Sequence, residues 1–543
     1  MAGGEVDGET ADLLIYAASF AVQWVAHPRV VLPVLEALRP LGEKAPHRYV
    51  VALAAASELT RLDQETAEYI YVALQQLKDR LSKAERRWPL VEAVRAYSNL
   101  LRKHSVYFKD RWGEEAVADM CELYNKVRRR SAAATPESNL SAHRLFDAVA
   151  RTRVLAVALE SGDLAQHVQR YCGVGDLIKE AEAARSVLDT AAAHLDELRK
   201  IMESNADFAE WVTAHSVTGD AGGVVEDLRR GFTHKLARYK LDHAINERGE
   251  LDAGKLEEAA KEFEKEAEID EKLKQWRNYL VSSSFALRAR VLAAKSWEEL
   301  LERAKGFWEL WKEAEKHLEP TAIYLETAAV ILGEYLVYLA ASGDKERAEE
   351  LLKEWRWLLD YVPEVSVVAR LMLKLFGVGE EANLEEVVDV FGPWLSPEYR
   401  LALLMLAGRL QKDKAHEECV KLFETELCVN AMAAAAGNRI AAERLRSVIE
   451  EVVAGARLLL DKVDGKTLVG VLAPKYSSAQ LAFTLLAAVE GRVDAVRLHG
   501  LWGSAKFKEP LPRRLFRAVY ENCGDLNSEG CRLALLKLYY YHY

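Results

Sequence analysis

Apolar residues recur at steps of three and four along most of this chain, a spacing that restricts it to amphipathic helices. Leu256, Ala260, Phe263 and Ala267 form one such stripe, and Leu300, Ala304, Phe307, Leu310 and Trp311 form another. At 3.6 residues per turn each set falls on a single helix face. Only 13 Pro and 30 Gly punctuate the 543 residues, too few for the turns of a β-rich protein. The expected fold class is therefore all-α. Half the residues are hydrophobic, enough to exclude a disordered chain. The length exceeds one ordinary core, so several units or one elongated array are expected.

Breaks divide the chain into an N-terminal helical domain over 1–135, a helical connector over 139–235, a repeat array over 236–460 and a C-terminal capping region over 461–543. Pro33, Pro40 and Pro46 interrupt the first region, and the spacing predicts helices over 66–81 and 90–107. Small residues around Pro136 make 131–138 a linker. Gly219, Gly222 and Gly223 read as a loop, because no strand precedes them to form a phosphate cradle. Ser296 and Glu299 make a capping box, in which the serine oxygen takes the Glu299 amide and Glu299 reaches back to the cap amide. Glu257 and Lys261 read as a pair on one exposed face. Helices are also expected over 397–410, 413–427, 440–462, 477–490 and 527–541, with a poly-alanine tract from Ala433 to Ala436. Residues 468–472 read as a helix start or an extended connector.

The most regular stretch is long helix, short turn, long helix. A run over 321–341 meets Gly343 and Asp344, continues through Arg347, Ala348, Leu351, Leu352 and Trp355, and stops at Pro363. Leu332, Gly333 and Tyr335, then Gly343, Asp344, Ala348 and Pro363, resemble the tetratricopeptide-like helical repeat superfamily, and 255–267 is similar to a second helix of such a repeat. The resemblance covers residues 236–376. Its alanines (Ala260, Ala304, Ala348) recur at ~44 residues, against 34 in the standard repeat. It implies an α-solenoid of antiparallel helical hairpins, with a concave surface that binds a peptide or protein partner, in some relatives as the sensor beside a nucleotide-switching ATPase.

No catalytic signature accompanies this scaffold, so an enzyme, a cofactor and a metal are not expected. Asp464, Gly465, Lys466 and Thr467 lack the first glycine of a phosphate loop, whose position holds Leu460. His243 and Glu247 lie four apart on an expected helix, but no third ligand adjoins them. His215 and His234 are equally isolated. Two basic clusters carry an alternative, a nucleic-acid-associated protein. One is Arg128, Arg129 and Arg130, with Arg151 and Arg153 further on; the other is Arg513, Arg514 and Arg517 near Tyr539, Tyr540, Tyr541 and Tyr543. The competing account is cations at a helix end and tyrosines in a core. Among the aromatics, Trp311 and Trp355 follow the apolar stripes. Trp308 and Trp357 fall beside them and, with Tyr335 and Tyr338, are the candidate partner-binding residues.

Six cysteines do not make a disulfide framework. Cys419 and Cys428 are too far apart on one expected helix to bond. Cys523 and Cys531 flank a turn and read first as buried thiols, with a bond expected only in a hyperthermophile. The 29% charged residues lean toward the ion-pair networks of thermophilic proteins, and the net charge of −11 argues against a surface coated in nucleic acid. The N-terminal residues have no basic or apolar segment of a signal peptide. Glu326 and Glu334 interrupt the longest apolar run, so a cytoplasmic protein is expected. The oligomeric state stays open.

Overall fold

Oxygen-bearing residues start many of the helices. Ser141, Asp176, Asn205, Asp252 and Ser296 each accept a backbone amide of the turn that follows. The structure is a computed structural model and describes residues 31–59, 62–83, 85–104, 112–132, 140–216, 219–380, 382–391, 439–440, 443, 477–507 and 509–542. Among these residues there is no strand, only a single bridge between Ile245 and Leu251. The fold is all-α. The segments expected at 397–410, 413–427 and 468–472, most of 440–462 and of the 131–138 linker, the phosphate-loop-like residues 464–467, and Cys419 and Cys428 lie outside the described residues.

The chain divides into two compact units, Met1–Tyr239 and Lys240–Tyr543. The first contains α1 (Val31–Gly42), α2 (Pro46–Ser57), α3 (Gln64–Lys83), α4 (Trp88–Lys103), α5 (Gly113–Ala132), α6 (Ala142–Glu160), α7 (Gly162–Cys172), α8 (Leu177–Ala193), α9 (Leu195–Ser204), α10 (Ala206–His215) and α11 (Ala221–Asp242). One core runs from Val31 to Leu236, so residues read as a separate connector share it with those before them. At its centre α4 is buried from Trp88 to Leu101 and packs on α2, α5 and α6. A helix enclosed this way normally reads as apolar all round. This one carries Glu92, Arg95, Ser98 and Asn99, and each has a partner. Ser98 donates to the Arg153 carbonyl (2.7 Å), and Asn99 donates to Ser57 (3.1 Å). Arg95 joins Glu92 (2.8 Å) and Glu58 (2.9 Å).

The second unit contains α12 (Ala253–Lys272), α13 (Trp276–Ala293), α14 (Trp297–Ala304), α15 (Gly306–Lys316), α16 (Ala322–Ser342), α17 (Lys345–Asp360), α18 (Pro363–Leu375), α19 (Leu384–Phe391), α20 (Ser477–Val489), α21 (Val493–Lys506), α22 (Pro510–Asn522) and α23 (Glu529–His542). Ala260, Ala304 and Ala348 are wholly buried, as expected of small residues where helices meet closely. Gly343 ends α16 at φ 93°, a left-handed conformation that needs no Cβ, and turns the chain into α17. At Gly500 a Cβ would sit 2.8 Å from the Tyr520 amide nitrogen, so only glycine lets α21 lie this close to α22. The last helix returns to the middle of the unit. Tyr540 stacks on Phe307 at 5.2 Å, and Lys537 donates to the Ala294 carbonyl.

Five sequence readings need correction. The Glu299 carboxylate takes the Lys295 amide (2.7 Å), one residue before the cap, although Ser296 does take the Glu299 amide (3.2 Å). Glu257 turns from Lys261 to Arg290 of α13 (3.4 Å), because α12 and α13 pack side by side. Gly222 and Gly223 belong to the first turn of α11. That helix ends at Asp242, so His243 and Glu247 share no helical face. Asn246 instead accepts the amides of Arg248 (2.9 Å) and Glu250 (3.0 Å) and holds a turn. The cysteines also differ from the expectation of buried thiols. Cys523 is bonded to Cys531, and Cys121 of α5 to Cys172 of α7, so all four described cysteines are paired.

The segment Tyr324–Ser342 is long and apolar enough to cross a membrane, yet most of it is buried within its unit. Glu334 lies in its middle, fully enclosed. Arg288 meets its carboxylate at 2.5 Å and Ser284 donates at 3.0 Å. Burial, opposed by Arg288, pushes this carboxyl up from its ordinary 4.5 to about 7. A carboxyl with a raised folded pKa favours its neutral form. Its contribution is fully present below pH 4.5 and is lost as pH rises to about 7. The stability of the second unit should therefore fall across that window by up to about 3 kcal/mol. Glu334→Gln should flatten the slope, measured by denaturant titration at several pH values. The disulfides make a second test. Cys121–Cys172 spans 51 residues and Cys523–Cys531 spans 8. Loop-closure entropy assigns about 4 kcal/mol to the first and about 2.5 to the second. Cys121→Ser should cost more than Cys523→Ser in urea unfolding, and equal losses would contradict the entropic account.

Candidate functional site

The aromatic residues of α15, α16 and α17 form two runs. Trp308 lies 5.2 Å from Tyr335, which lies 6.3 Å from Tyr338, and Lys312 sits 4.9 Å over the Trp308 ring. Trp311, three residues along α15, meets Trp355 edge-on at 5.3 Å, and Trp355 leads to Trp357 at 5.9 Å. The depth of each ring follows its helical phase. Trp311 and Tyr335 are buried, whereas Trp308, Tyr338 and Trp355 are half-buried. Trp357 is 53% exposed, beside Tyr361 at 45%. The helix breaks at Trp355 (φ −109°, ψ 15°), and this resets its phase. Leu358 and Leu359 then turn inward while Trp357 turns out. Tyr335 supports the run from beneath rather than presenting a surface of its own.

The two basic clusters fall in different units. Arg128 and Arg129 are exposed near the C-terminal end of α5. The side chain of Arg130 lies outside what is described. Arg151 is not with them; it pairs with Asp147 (3.0 Å) and Glu180 (3.2 Å). In the second unit Arg513 donates to the Phe507 carbonyl (3.0 Å), and Glu521 takes both Arg514 (2.8 Å) and Arg517 (2.9 Å). Tyr539, Tyr540 and Tyr541 are buried, so their faces are not available to stack on bases. Arg514 also lines a cavity of about 510 Å³ with Lys295, Lys537 and the apolar Leu251, Leu292 and Leu515. Burial pushes Lys537 down to about 8 there.

Sequence reading missed a second polar site, in the first unit. A cavity of about 320 Å³ lies between α6 and α11, lined by Glu58, Arg95, Thr152, Arg153, Ala156, His215, Val224, Asp227, Leu228, Gly231, Phe232 and Lys235. Its floor is a tightly paired network. Glu92 is buried and accepts Trp211 Nε1 (3.0 Å), with His215 at 3.2 Å and Arg95 at 2.8 Å. Burial opposes its charge, but His215 and Arg95 hold the carboxyl down at about 2. Arg102 takes Glu160, which also faces Lys235 at 3.6 Å. Lys103 donates to the Glu58 carbonyl. Arg153 differs from all of these. Among the described residues its side chain makes no ion pair or hydrogen bond, although Glu58 and Glu92 attract it from a distance, and its Nε is closed off from solvent. The one signal in the sequence was Arg153 within the apolar run of α6, which was grouped with Arg128 by proximity in sequence alone.

Compared with protein families, with curated proteins and with solved structures, the chain finds no match.

Proposed function

We propose that this protein is a non-enzymatic interaction scaffold: a tetratricopeptide-like array of antiparallel helical hairpins whose aromatic runs on α15–α17 dock a protein or peptide partner. The observation that carries this reading is Trp357, more than half exposed at the end of a continuous line of rings. A large indole left in water forgoes burial worth about 2 kcal/mol, and one anchored by rigid neighbours is pre-set to bury on docking. The partner that fits is a segment presenting bulky aliphatic or aromatic side chains. The rim cation Lys312 is already balanced by Glu309 (2.6 Å), and Arg347 by Glu350 (3.3 Å). Apolar contact therefore supplies the affinity, and a cytoplasmic peptide-binding module, sensor or regulator is the role this supports.

Nucleic-acid association through Arg128, Arg129, Arg130, Arg513 and Arg514 is the second reading, and exposure of Arg128 and Arg129 is what favours it. Internal pairing of Arg514 and the burial of the C-terminal tyrosines weigh against it.

The experiment starts with capture of a partner on the immobilised full chain at high salt after nuclease treatment. The purified partner's affinity is then measured against wild type and Trp308→Ala/Trp357→Ala. The double variant should keep its helical circular dichroism and bind at least ~10-fold more weakly, a loss of about 1.4 kcal/mol. Hydrogen exchange should show protection within residues 305–361. Binding that the double variant retains, or that disappears with nuclease and falls steeply with salt, would overturn the scaffold reading.

A further inference from the structure

We propose that the cavity between α6 and α11 of the first unit is a binding site for a small organic anion, with Arg153 receiving its oxyanion head and the apolar wall of α11 holding its body.

The charge balance around the cavity points to an anion. Arg95, Arg102, Lys103, Arg153 and Lys235 interact with one another there, against the carboxylates Glu58, Glu92 and Glu160. Three of the cations are spoken for: Arg95 by Glu58 and Glu92, Arg102 by Glu160, and Lys103 by the Glu58 carbonyl. Asp227 stands exposed at the rim and is bound by Arg230 at 2.8 Å, so it does not neutralise the interior. Arg153 remains without an ion pair among the described residues. Lys235 reaches only the Gly231 carbonyl of its own helix (3.1 Å) and the already occupied Glu160. Arg153 is half-buried with its Nε enclosed, and a guanidinium drawn this far from water is costly unless a counter-charge and hydrogen bonds meet it. An oxyanion supplies both, and a guanidinium is shaped for bidentate contact with phosphate or carboxylate. Burial and the neighbouring cations push Lys235 and Lys103 down to about 8 and Arg153 down to about 10, as crowded positive charge requires.

Shape narrows the ligand further. At about 320 Å³ the cavity exceeds what an inorganic ion fills and matches a small molecule. Val224, Leu228 and Phe232 lie on the wall facing Arg153, and beside them Gly231 has no atom within 4 Å of where a Cβ would stand. An aliphatic or aromatic body fits there, with the charged head toward α6.

The test is calorimetry on the full chain at pH 7 with three probes: inorganic phosphate, phenyl phosphate and benzoate. At least one of the two aromatic probes should bind more tightly than inorganic phosphate; which of them is tighter tells a phosphate head from a carboxylate. Arg153→Gln should weaken that probe at least ~10-fold, the scale of losing one charge-assisted hydrogen bond. Gly231→Leu fills the space without removing a charge and should abolish binding. Arg170→Gln, which removes an exposed cation on α7, should leave it unchanged. Affinity should fall as pH rises from 7 to 9, where the lysine ammonium groups lose their protons. A readout independent of any ligand is the melting temperature. Arg153→Gln should raise it by relieving a half-buried cation that has no ion pair among the described residues, whereas a merely structural Arg153 would make it fall. The proposal is overturned if no probe binds at millimolar concentration, if Gly231→Leu and Arg153→Gln both bind as wild type does, or if Arg153→Gln lowers the melting temperature.

Discussion

A helix enclosed on every side has nowhere to send its polar residues, and the first unit is organised around that constraint in α4. Glu92 and Arg95 lie where water cannot solvate them, so each must find charge and hydrogen bonds in neighbouring elements. Glu58 after α2, and Trp211 and His215 of α10, supply those partners. The result links segments more than 100 residues apart in sequence, from Arg95 to His215 (2.7 Å) and from Trp88 to Glu210 (3.1 Å). Because these bonds are directional, they set how α10 and α4 meet more narrowly than apolar contact alone would. The cavity is a by-product of the same arrangement. Glu58, Glu92 and Glu160 pair with Arg95 and Arg102, and Arg153 one helix away makes no ion pair among the described residues.

The second unit solves a related problem with a single pair. Glu334 interrupts the most apolar helix among the described residues, and Arg288 and Ser284 of α13 meet it there. Tyr540 of the last helix adds a contact to the Glu334 carbonyl at 3.4 Å, so α13, α16 and α23 converge on one residue. From α15 to α17 one aromatic run passes from buried Trp311 through half-buried Trp355 to exposed Trp357. The core and the candidate docking surface are therefore one packed structure, and the exposed indole of Trp357 inherits its rigidity from Trp311 through Trp355.

Much of the helical framework was legible before any coordinates. Periodicity located α3, α4, α12, α16 and α17 within a few residues, because an amphipathic stripe is written locally. Gly343 and Pro363 marked helix boundaries for equally local reasons, a left-handed turn and a missing amide. Trp308 was separable from Trp311 by helical phase, whereas the outward turn of Trp357 also depends on the break at Trp355. Partners across space were not legible. Glu257 was matched to Lys261 at the expected helical spacing, but it pairs with Arg290, because the neighbouring helix brings a guanidinium nearer. Cys121 and Cys172 showed no turn between them to suggest a bond, since the proximity is created by α5 packing on α7. Arg153 looked like part of a basic surface and instead faces a cavity.

What the sequence alone determined is the helical character of the chain, where many of its helices stop, and which face of each turns inward. These depend on residues within a turn or two of one another. Which charges are satisfied and which are left over was decided only by tertiary structure. An ion pair needs two side chains within a few ångströms, and that distance is set by how whole helices pack, not by their order in the chain. Glu92, three residues before Arg95, gives that arginine a local partner, but its second, Glu58, and the lack of any ion pair at Arg153 among the described residues follow only from how the helices pack.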